Sequence, residues 1–275
     1  MQFGRVEQPQ DIDLTLPDAI FCFEQKLATS RLHIIPGLTT WTSPEYKSIL
    51  YPDNTKRKDF LRAFTHHVPA LEFNSTHYHI PKVENVQKWV SQVDNEQFVF
   101  CPKFPQSISH RKRLFEVPEY VDSFLETLYA FKPFLGTPFF QLPHYFKPEY
   151  QPYLEQFLDG FPRDIAVAFE FRHPDWFVNK EVWDGVCALL ASYGHYPLIT
   201  DTPGRRDVLH MTLTGTEAMI RFNGTGDWAY DKKRLDSWKG VLGDWENRGV
   251  QKVYFFIHQP QIPLSVQSFV YFNAK

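Results

Sequence analysis

Short apolar runs recur along this chain, and segments in which apolar residues follow a helical spacing lie between them. Eight runs have the length and composition of strands, and they fall at residues 32–38, 70–73, 98–101, 138–142, 165–171, 196–200, 218–222 and 253–257. The intervening periodicity predicts helices at about residues 55–67, 83–93, 150–158, 180–193 and 231–247, with another that begins near Pro118. Strand and helix signals therefore alternate, which is typical of a parallel sheet.

The number and order of these elements predict one α/β domain over residues 1–275, a TIM-barrel-like (β/α) barrel. The run 165–171 is apolar almost throughout, as expected for a strand that is covered on both faces. Residues 1 to about 30 lack periodicity and are predicted to form a lead-in that packs on the barrel. Residues 208–213 suit either an extra strand or a connecting loop, and the short remainder after the last strand predicts a short or trimmed final helix.

The charge and the cysteine content narrow the class of protein. The net charge is −3, and no block of like charge is long enough to indicate a nucleic-acid tail or a membrane patch. The 3 widely spaced cysteines fit a reducing compartment better than a disulfide framework. Because we find neither a signal peptide nor an apolar stretch of about 18 residues, we expect a cytoplasmic protein with no membrane partner.

Several of the predicted strands end in polar side chains. In a parallel barrel the carboxyl ends of all strands lie on one face, where such folds carry their active sites. Four of these residues could transfer protons and are predicted to be catalytic: Glu72, His110, Glu170 and Asp201. Others could bind a substrate through hydrogen bonds, charge or an aromatic wall, and these are Asn74, Lys103, Gln141, Arg172, His173, Trp176, Arg221 and Asn223.

Each of these assignments has a purely structural alternative. Glu72 could form an ion pair with Arg172 or Arg221, because buried charges are costly unless they are paired. Trp176 could anchor a loop, and a single histidine such as His110 is often only an exposed residue. The familiar zinc and dinucleotide motifs do not occur, so no cofactor is predicted, although the carboxylates and histidines could hold a divalent metal.

Seven elements of the chain resemble motifs of the YecE-like family, a domain of unknown function. The most specific is EFRHPDW at 170–176, and the others are LEFNSTHY at 71–78, FCPK at 100–103 with SH at 109–110, QLP at 141–143, DTP at 201–203, RFNG at 221–224 and NA at 273–274. The resemblance covers about residues 4–274. It implies a TIM-barrel-like fold with a polar site at the strand ends, and it implies no reaction.

The chain departs from the family pattern at two places. Asn223 stands where the seventh-strand motif usually has a histidine, and IHQP at 257–260 replaces an asparagine pair. His258 could substitute for the missing histidine if the two positions are adjacent.

Three functions remain open from the sequence. The first is an enzyme of hydrolase or isomerase type that acts on an anionic small molecule or a sugar, since neither chemistry needs a nucleotide cofactor. The second is nucleic-acid processing of the endonuclease kind, which the net negative charge does not favour. The third is a non-catalytic binding or scaffold barrel, because a fold alone does not fix a function. No pattern in the chain encodes the oligomeric state.

Overall fold

The computed structural model describes residue 4 and residues 6–25, 31–112 and 114–274. Its strands are β1 Ile20–Phe21, β2 His33–Leu38, β3 Ala70–Phe73, β4 Val99–Pro102, β5 Phe139–Gln141, β6 Ala168–Glu170, β7 Tyr196–Pro197, β8 Ile199–Asp201, β9 Thr212–Leu213, β10 Glu217–Asn223 and β11 Lys252–His258. Its α-helices are α1 Phe60–His67, α2 Ser75–Tyr78, α3 Val83–Val90, α4 Pro118–Ala130, α5 Gln151–Gly160, α6 Asp175–Val178, α7 Lys180–Ser192, α8 Trp228–Asn247 and α9 Ile262–Asn273.

The local sequence accounts for where several helices begin and end. Pro118 lies in the first turn of α4, where its missing N–H costs no intrahelical hydrogen bond. Asn179 and Asp227 cap α7 and α8, because each side chain accepts a hydrogen bond from a backbone N–H of the first turn. Gly194 follows α7 with a φ of 77°, a conformation that glycine adopts without steric penalty.

The strands pair in parallel and form three sheets. The largest has the order β4-β3-β2-β11-β10-β8, the second is β5-β6-β7, and β1 pairs with β9. Two isolated parallel bridges, Phe100 to Leu135 and Lys103 to Phe139, connect β4 with the segment that leads into β5. Leu198, the single residue between β7 and β8, donates its N–H to the carbonyl of Phe169 in β6 at 2.8 Å. The two larger sheets therefore adjoin each other at both of their ends.

A buried apolar cluster joins the strands of the two larger sheets, and we call it the central cluster. It takes residues from the strands of both sheets and consists of Ile35, Ala70, Cys101, Phe139, Ala168, Tyr196, Leu198, Met219, Tyr254 and Phe256. Residues that point the other way, such as Leu71 and Ile220, join helix residues such as Phe64 and Trp238 in a second buried cluster. The strands are thus buried on both faces, as parallel sheets generally are.

The α/β class with parallel sheets is confirmed, and several details of the prediction are corrected. The predicted strand at 196–200 is two short strands, because Pro197 cannot donate a hydrogen bond and the pairing changes from β6 to β10 after it. Within 208–213 only Thr212–Leu213 is a strand, and its partner is β1 in the N-terminal lead-in. The expectation of a short final helix was wrong, since α9 has 12 residues.

Candidate functional site

Polar residues follow the central cluster at an interval of two residues on seven strand segments. Alternate residues of a strand point to the same side, so these polar side chains lie on the inner side of the sheets. The pairs of cluster residue and polar residue are Ala70 and Glu72, Cys101 and Lys103, Phe139 and Gln141, Ala168 and Glu170, Leu198 and Thr200, Met219 and Arg221, and Phe256 and His258.

Arg221 lies at the middle of this polar layer and joins two carboxylates. Its Nε donates to Glu72 Oε2 at 3.0 Å and its Nη2 to Glu72 Oε1 at 2.9 Å, so the two side chains form a bidentate pair. Its Nη1 donates to Glu170 Oε2 at 2.7 Å. All three residues are buried, with 0% exposure for both glutamates and 6% for the arginine. One cation therefore joins carboxylates from β3 and β6.

The carboxylates are ionised in this arrangement. Burial acts to raise the pKa of Glu72, but the positive charge of Arg221 and the hydrogen bonds of Arg221 and His258 hold that pKa well below its usual range. In the same way, Arg172 and Arg221 outweigh burial and lower the pKa of Glu170. The two carboxylates in turn raise the pKa of Arg221, against the opposing effect of burial.

Gln141 extends the network to Lys103. The amide nitrogen of Gln141 donates to Glu170 Oε2 at 2.8 Å, and its oxygen accepts from Lys103 Nζ at 2.9 Å. Burial, followed by repulsion from Arg221, lowers the pKa of Lys103 to about 7. We call Glu72, Lys103, Gln141, Glu170 and Arg221 the Arg221 cluster.

Three partly exposed residues lie at the edge of the Arg221 cluster. Arg172 Nε donates to Glu170 Oε1 at 2.6 Å, and Asn74 Nδ2 donates to Glu72 Oε1 at 2.9 Å. His258 Nε2 lies 2.6 Å from Glu72 Oε2. The side chains of Arg172 and His258 are 17% and 21% exposed, so they form the boundary between the buried cluster and solvent.

A pair of histidines lies beside Lys103. The rings of His77 and His110 are 5.0 Å apart, and His77 Nδ1 lies 2.9 Å from the carbonyl oxygen of Phe104. His110 Nδ1 lies 2.8 Å from Ser109 Oγ. Burial and the positive charge of Lys103 lower the pKa of His77 to about 4, and burial together with His77 does the same for His110. Both imidazoles are therefore neutral at pH 7.

The structure brings seven of the predicted site residues into one network and places His110 next to it. The seven are Asn74, Glu72, Lys103, Gln141, Glu170, Arg172 and Arg221. The ion pair proposed as the structural alternative for Glu72 is present, with Arg221 as the partner.

Asp201 lies outside the network. It follows Thr200 by one residue and so points to the opposite side of the strand, towards α8. There it accepts hydrogen bonds from Trp238 Nε1 at 2.8 Å and forms ion pairs with Arg234 at 2.8 Å and Arg206 at 2.5 Å. Its carboxylate is 0% exposed. Asp201 ends its strand as predicted, but the phase of the strand directs its side chain away from the Arg221 cluster.

Three further predicted residues also lie apart from the Arg221 cluster. Trp176 is fully buried and donates to the carbonyl of Phe146 at 2.7 Å, which is the loop-anchor role. His173 accepts a hydrogen bond from the N–H of Asp175 two residues later. Asn223 Nδ2 donates to Thr202 Oγ1 at 2.6 Å.

Thr200, His77 and His258 belong to this region but are absent from the predicted site. Thr200 is 3% exposed, is the register partner of Arg221, and its hydroxyl has no hydrogen-bond partner among the described residues. Period-two alternation from Leu198 could have identified it. The position of His258 beside Glu72 depends on strand order, which the sequence does not give.

Neither a metal-binding group nor a membrane-spanning helix is present among the described residues. No group of three or more histidine, cysteine, aspartate or glutamate side chains within the described ranges is arranged to hold a metal ion. Among the described helices, none combines the length and the apolar character needed to cross a bilayer.

The comparisons with known proteins point to one family. The family model described as "Protein of unknown function DUF72" matches residues 35–275. The UPF0759 protein YecE of Escherichia coli is 29% identical over 245 residues, which cover 82% of this chain and 86% of YecE. The UPF0759 protein YunF of Bacillus subtilis is 26% identical over 239 residues, which cover 76% of this chain and 82% of YunF. A crystal structure of a DUF72 family protein from Enterococcus faecalis superposes with a TM-score of 0.68 at 18% identity, covering 88% of this chain and 96% of that one.

Proposed function

This chain belongs to the DUF72 family of proteins of unknown function, and we propose that it is an enzyme of hydrolase or isomerase type whose active site is the Arg221 cluster. The YecE-like resemblance read from its motifs is thereby confirmed. The proposed substrate is a small anionic molecule or a sugar.

We propose further that the two larger sheets close into a single (β/α) barrel. The support is the parallel pairing throughout, the bridges between β4 and the segment of β5, and the direct continuation of β7 into β8. The central cluster takes at least one residue from each of eight consecutive strand segments around the sheets. In a barrel of this kind the Arg221 cluster lies at the carboxyl ends of the strands, which is where active sites are found.

The main support for an enzyme is the convergence of ionisable residues from four strand segments on Arg221 and its neighbours. Five charged groups, Glu72, Lys103, Glu170, Arg172 and Arg221, are joined directly or through Gln141. Burying so many charges costs desolvation free energy, and well-packed apolar residues often stabilise a protein as well or better. Stability alone therefore does not explain the set. A cluster of strongly perturbed ionisable groups is, in contrast, typical of an active site.

The polar layer also contains a group suited to a ligand. The hydroxyl of Thr200 is buried next to Arg221 and is unpaired within the described part of the chain. Buried hydroxyls normally have a hydrogen-bond partner. A ligand hydroxyl or a water molecule in the Arg221 cluster would supply it.

A thermal-shift screen tests this function. The panel contains free sugars, sugar phosphates, carboxylic acids, divalent metals and oligonucleotides, with the wild type compared with Arg172→Ala and with Arg62→Ala. Arg62 is a matched control, since it forms an ion pair with Asp94 on the surface and is 56% exposed. A ligand that binds the folded state raises the melting temperature.

We expect a small polar ligand to raise the melting temperature of the wild type and of Arg62→Ala, and to lose that effect in Arg172→Ala. A panel in which no compound stabilises the protein would favour a scaffold held by internal ion pairs. Stabilisation by oligonucleotides alone would favour nucleic-acid processing.

The cytoplasmic location remains part of the proposal, in keeping with Cys22, Cys101 and Cys187 as free thiols.

A further inference from the structure

Lys103 differs from the other charged residues of the Arg221 cluster, because it forms no ion pair with a carboxylate among the described residues. Glu72 pairs with Arg221 and His258, and Glu170 pairs with Arg172 and Arg221. Within the described residues, the amine of Lys103 donates one hydrogen bond, and its acceptor is the neutral amide oxygen of Gln141.

Gln141 acts as a spacer between Lys103 and Glu170. Its amide nitrogen is held by the carboxylate, which turns the amide oxygen towards the amine. The lysine is only 7% exposed, and Arg221 lies close enough to repel its positive charge. Burial and this repulsion outweigh the attraction of the more distant carboxylates of Glu170 and Glu72, and a lysine in such a position readily becomes a neutral amine.

We infer that Lys103 is a covalent catalytic residue that forms an imine with an open-chain hydroxyaldehyde or hydroxyketone. The inference rests on the proposed function, namely that the Arg221 cluster binds a small polar substrate, and it selects the sugar-like class among the substrates considered there.

The chemistry balances without an oxidant or a reductant. The nitrogen lone pair of Lys103 attacks the carbonyl carbon while the π electrons move to oxygen, and a proton passes from nitrogen to that oxygen to give a carbinolamine. Loss of one water molecule then forms the carbon–nitrogen double bond. Hydrolysis of the imine returns the amine and a carbonyl compound, so that the residue is regenerated.

The surrounding charges favour a neutral, hydroxylated substrate. With Lys103 as a free amine, the carboxylates of Glu72 and Glu170 balance the guanidinium groups of Arg172 and Arg221, and these side chains carry no net charge. Carboxylate oxygens accept hydrogen bonds from hydroxyl groups. The hydroxyl of Thr200, which has no hydrogen-bond partner in the described ranges, can also accept such a hydrogen bond.

The neighbouring histidines can move the protons that imine formation requires. His77 Nδ1 lies against the carbonyl oxygen of Phe104, so this nitrogen carries the hydrogen and Nε2 is the basic nitrogen. In His110 the same tautomer follows, because the hydroxyl of Ser109 donates to the carbonyl of Pro105 and accepts from Nδ1. Each neutral imidazole can accept a proton at Nε2 while the amine attacks the carbonyl carbon, and can return it to the departing hydroxyl group.

Reductive trapping at pH 7 tests this inference. The purified protein is incubated with dihydroxyacetone or glyceraldehyde and cyanoborohydride, and labelled lysines are located by peptide mass mapping. A lysine in water has a pKa of about 10.4, so about 1 amine in 2,500 is neutral at pH 7, whereas about half of Lys103 is neutral there because burial lowers its pKa to about 7. The exposed residues Lys58 and Lys82 serve as internal controls.

We expect Lys103 to gain the mass of the sugar minus one oxygen atom at least 100-fold faster than the two exposed lysines, and the rapid phase to be lost in Lys103→Met. Labelling of Lys103 no faster than that of Lys58 and Lys82 would overturn the inference. The wild-type measurement decides this alone, even if Lys103→Met does not fold. A sugar that raises the melting temperature but leaves Lys103 unmodified would overturn the imine while leaving the proposed function intact.

Discussion

His258 Nε2 and Glu72 Oε2 lie 2.6 Å apart, although 186 residues separate them in the chain. Asn223, which replaces the histidine of the seventh-strand family motif, is the register partner of His258 in the parallel pair of β10 and β11. The imidazole next to the Arg221 cluster therefore comes from the strand beside the one that carries the family motif. The positions of Asn223 and His258 are therefore adjacent, which is the condition for His258 to substitute for the missing histidine.

Arg221→Met is expected to be strongly destabilising. The substitution leaves two buried carboxylates without their shared cation, and loss of one partner of a buried ion pair costs about 3–5 kcal/mol. Equilibrium urea denaturation, compared with Arg62→Met at the surface, measures the effect. A loss no larger than that of the surface variant would show that the ion pairs of Arg221 contribute little.

The acid stability of the protein is expected to depend on Glu72. Its pKa is lower in the folded state than the ordinary value of 4.5, so the folded state binds fewer protons than the unfolded state in that range. The stabilisation is therefore complete above about pH 4.5 and is lost as the pH falls towards the folded-state value. Urea denaturation between pH 3 and pH 6 should show a flatter pH dependence in Glu72→Gln than in the wild type. Equal slopes would mean that the carboxylate is not stabilised by folding.

Lys103 is expected to cause a second rise of stability with pH, in a higher pH range than that of Glu72. Burial, followed by the charge of Arg221, lowers its folded-state pKa to about 7 from an ordinary value of 10.5, so between these values the unfolded state binds the extra proton. Stability should then rise with pH from about 7 to about 10.5, with a contribution of up to about 1.4 kcal/mol per pH unit. Denaturation at pH 7, 8 and 9 should show this rise in the wild type and not in Lys103→Met. An identical slope in both proteins would contradict it.

Asp201→Asn is expected to lower stability without weakening ligand binding. The carboxylate of Asp201 pairs with Arg206 and Arg234 on the helix side of the strand, away from the Arg221 cluster. Loss of its charge leaves Arg234, which is 4% exposed, without this partner, and the cost is about 3 kcal/mol. Thermal denaturation with and without the ligand found in the screen separates the two effects. A lost thermal shift in a folded Asp201→Asn protein would place Asp201 in the site after all.

Much of the fold was predictable because its signals are local. Buried parallel strands appear in the sequence as apolar runs. Pro118 marks the beginning of α4 and Gly194 the end of α7, because each residue type favours the backbone conformation found there. The pairing of β1 with β9 was not predictable, since two-residue strands have no periodicity and the partner lies far along the chain.

The Arg221 cluster was predictable in part from the sequence, for a physical reason. Polar residues at strand ends stand out against apolar runs, which identified Glu72, Glu170 and Arg221. Whether a given residue points inward depends on the phase of its strand, and a shift of one residue separates Thr200 from Asp201. The role of Arg221 as the common partner of two carboxylates depends on the order of strands around the sheets, which no single segment encodes.

The central claim is that the Arg221 cluster is one ligand-binding site, and isothermal titration calorimetry with the best small-molecule ligand from the screen tests it most directly. The proteins to compare are the wild type, Gln141→Leu and Arg62→Ala. Gln141→Leu leaves the ion pairs of Arg221 in place but removes the link between Glu170 and Lys103. If the Arg221 cluster is one ligand-binding site, Gln141→Leu should bind at least about tenfold more weakly, which corresponds to about 1.4 kcal/mol, while Arg62→Ala binds as the wild type does. Equal affinity in all three proteins would contradict the account.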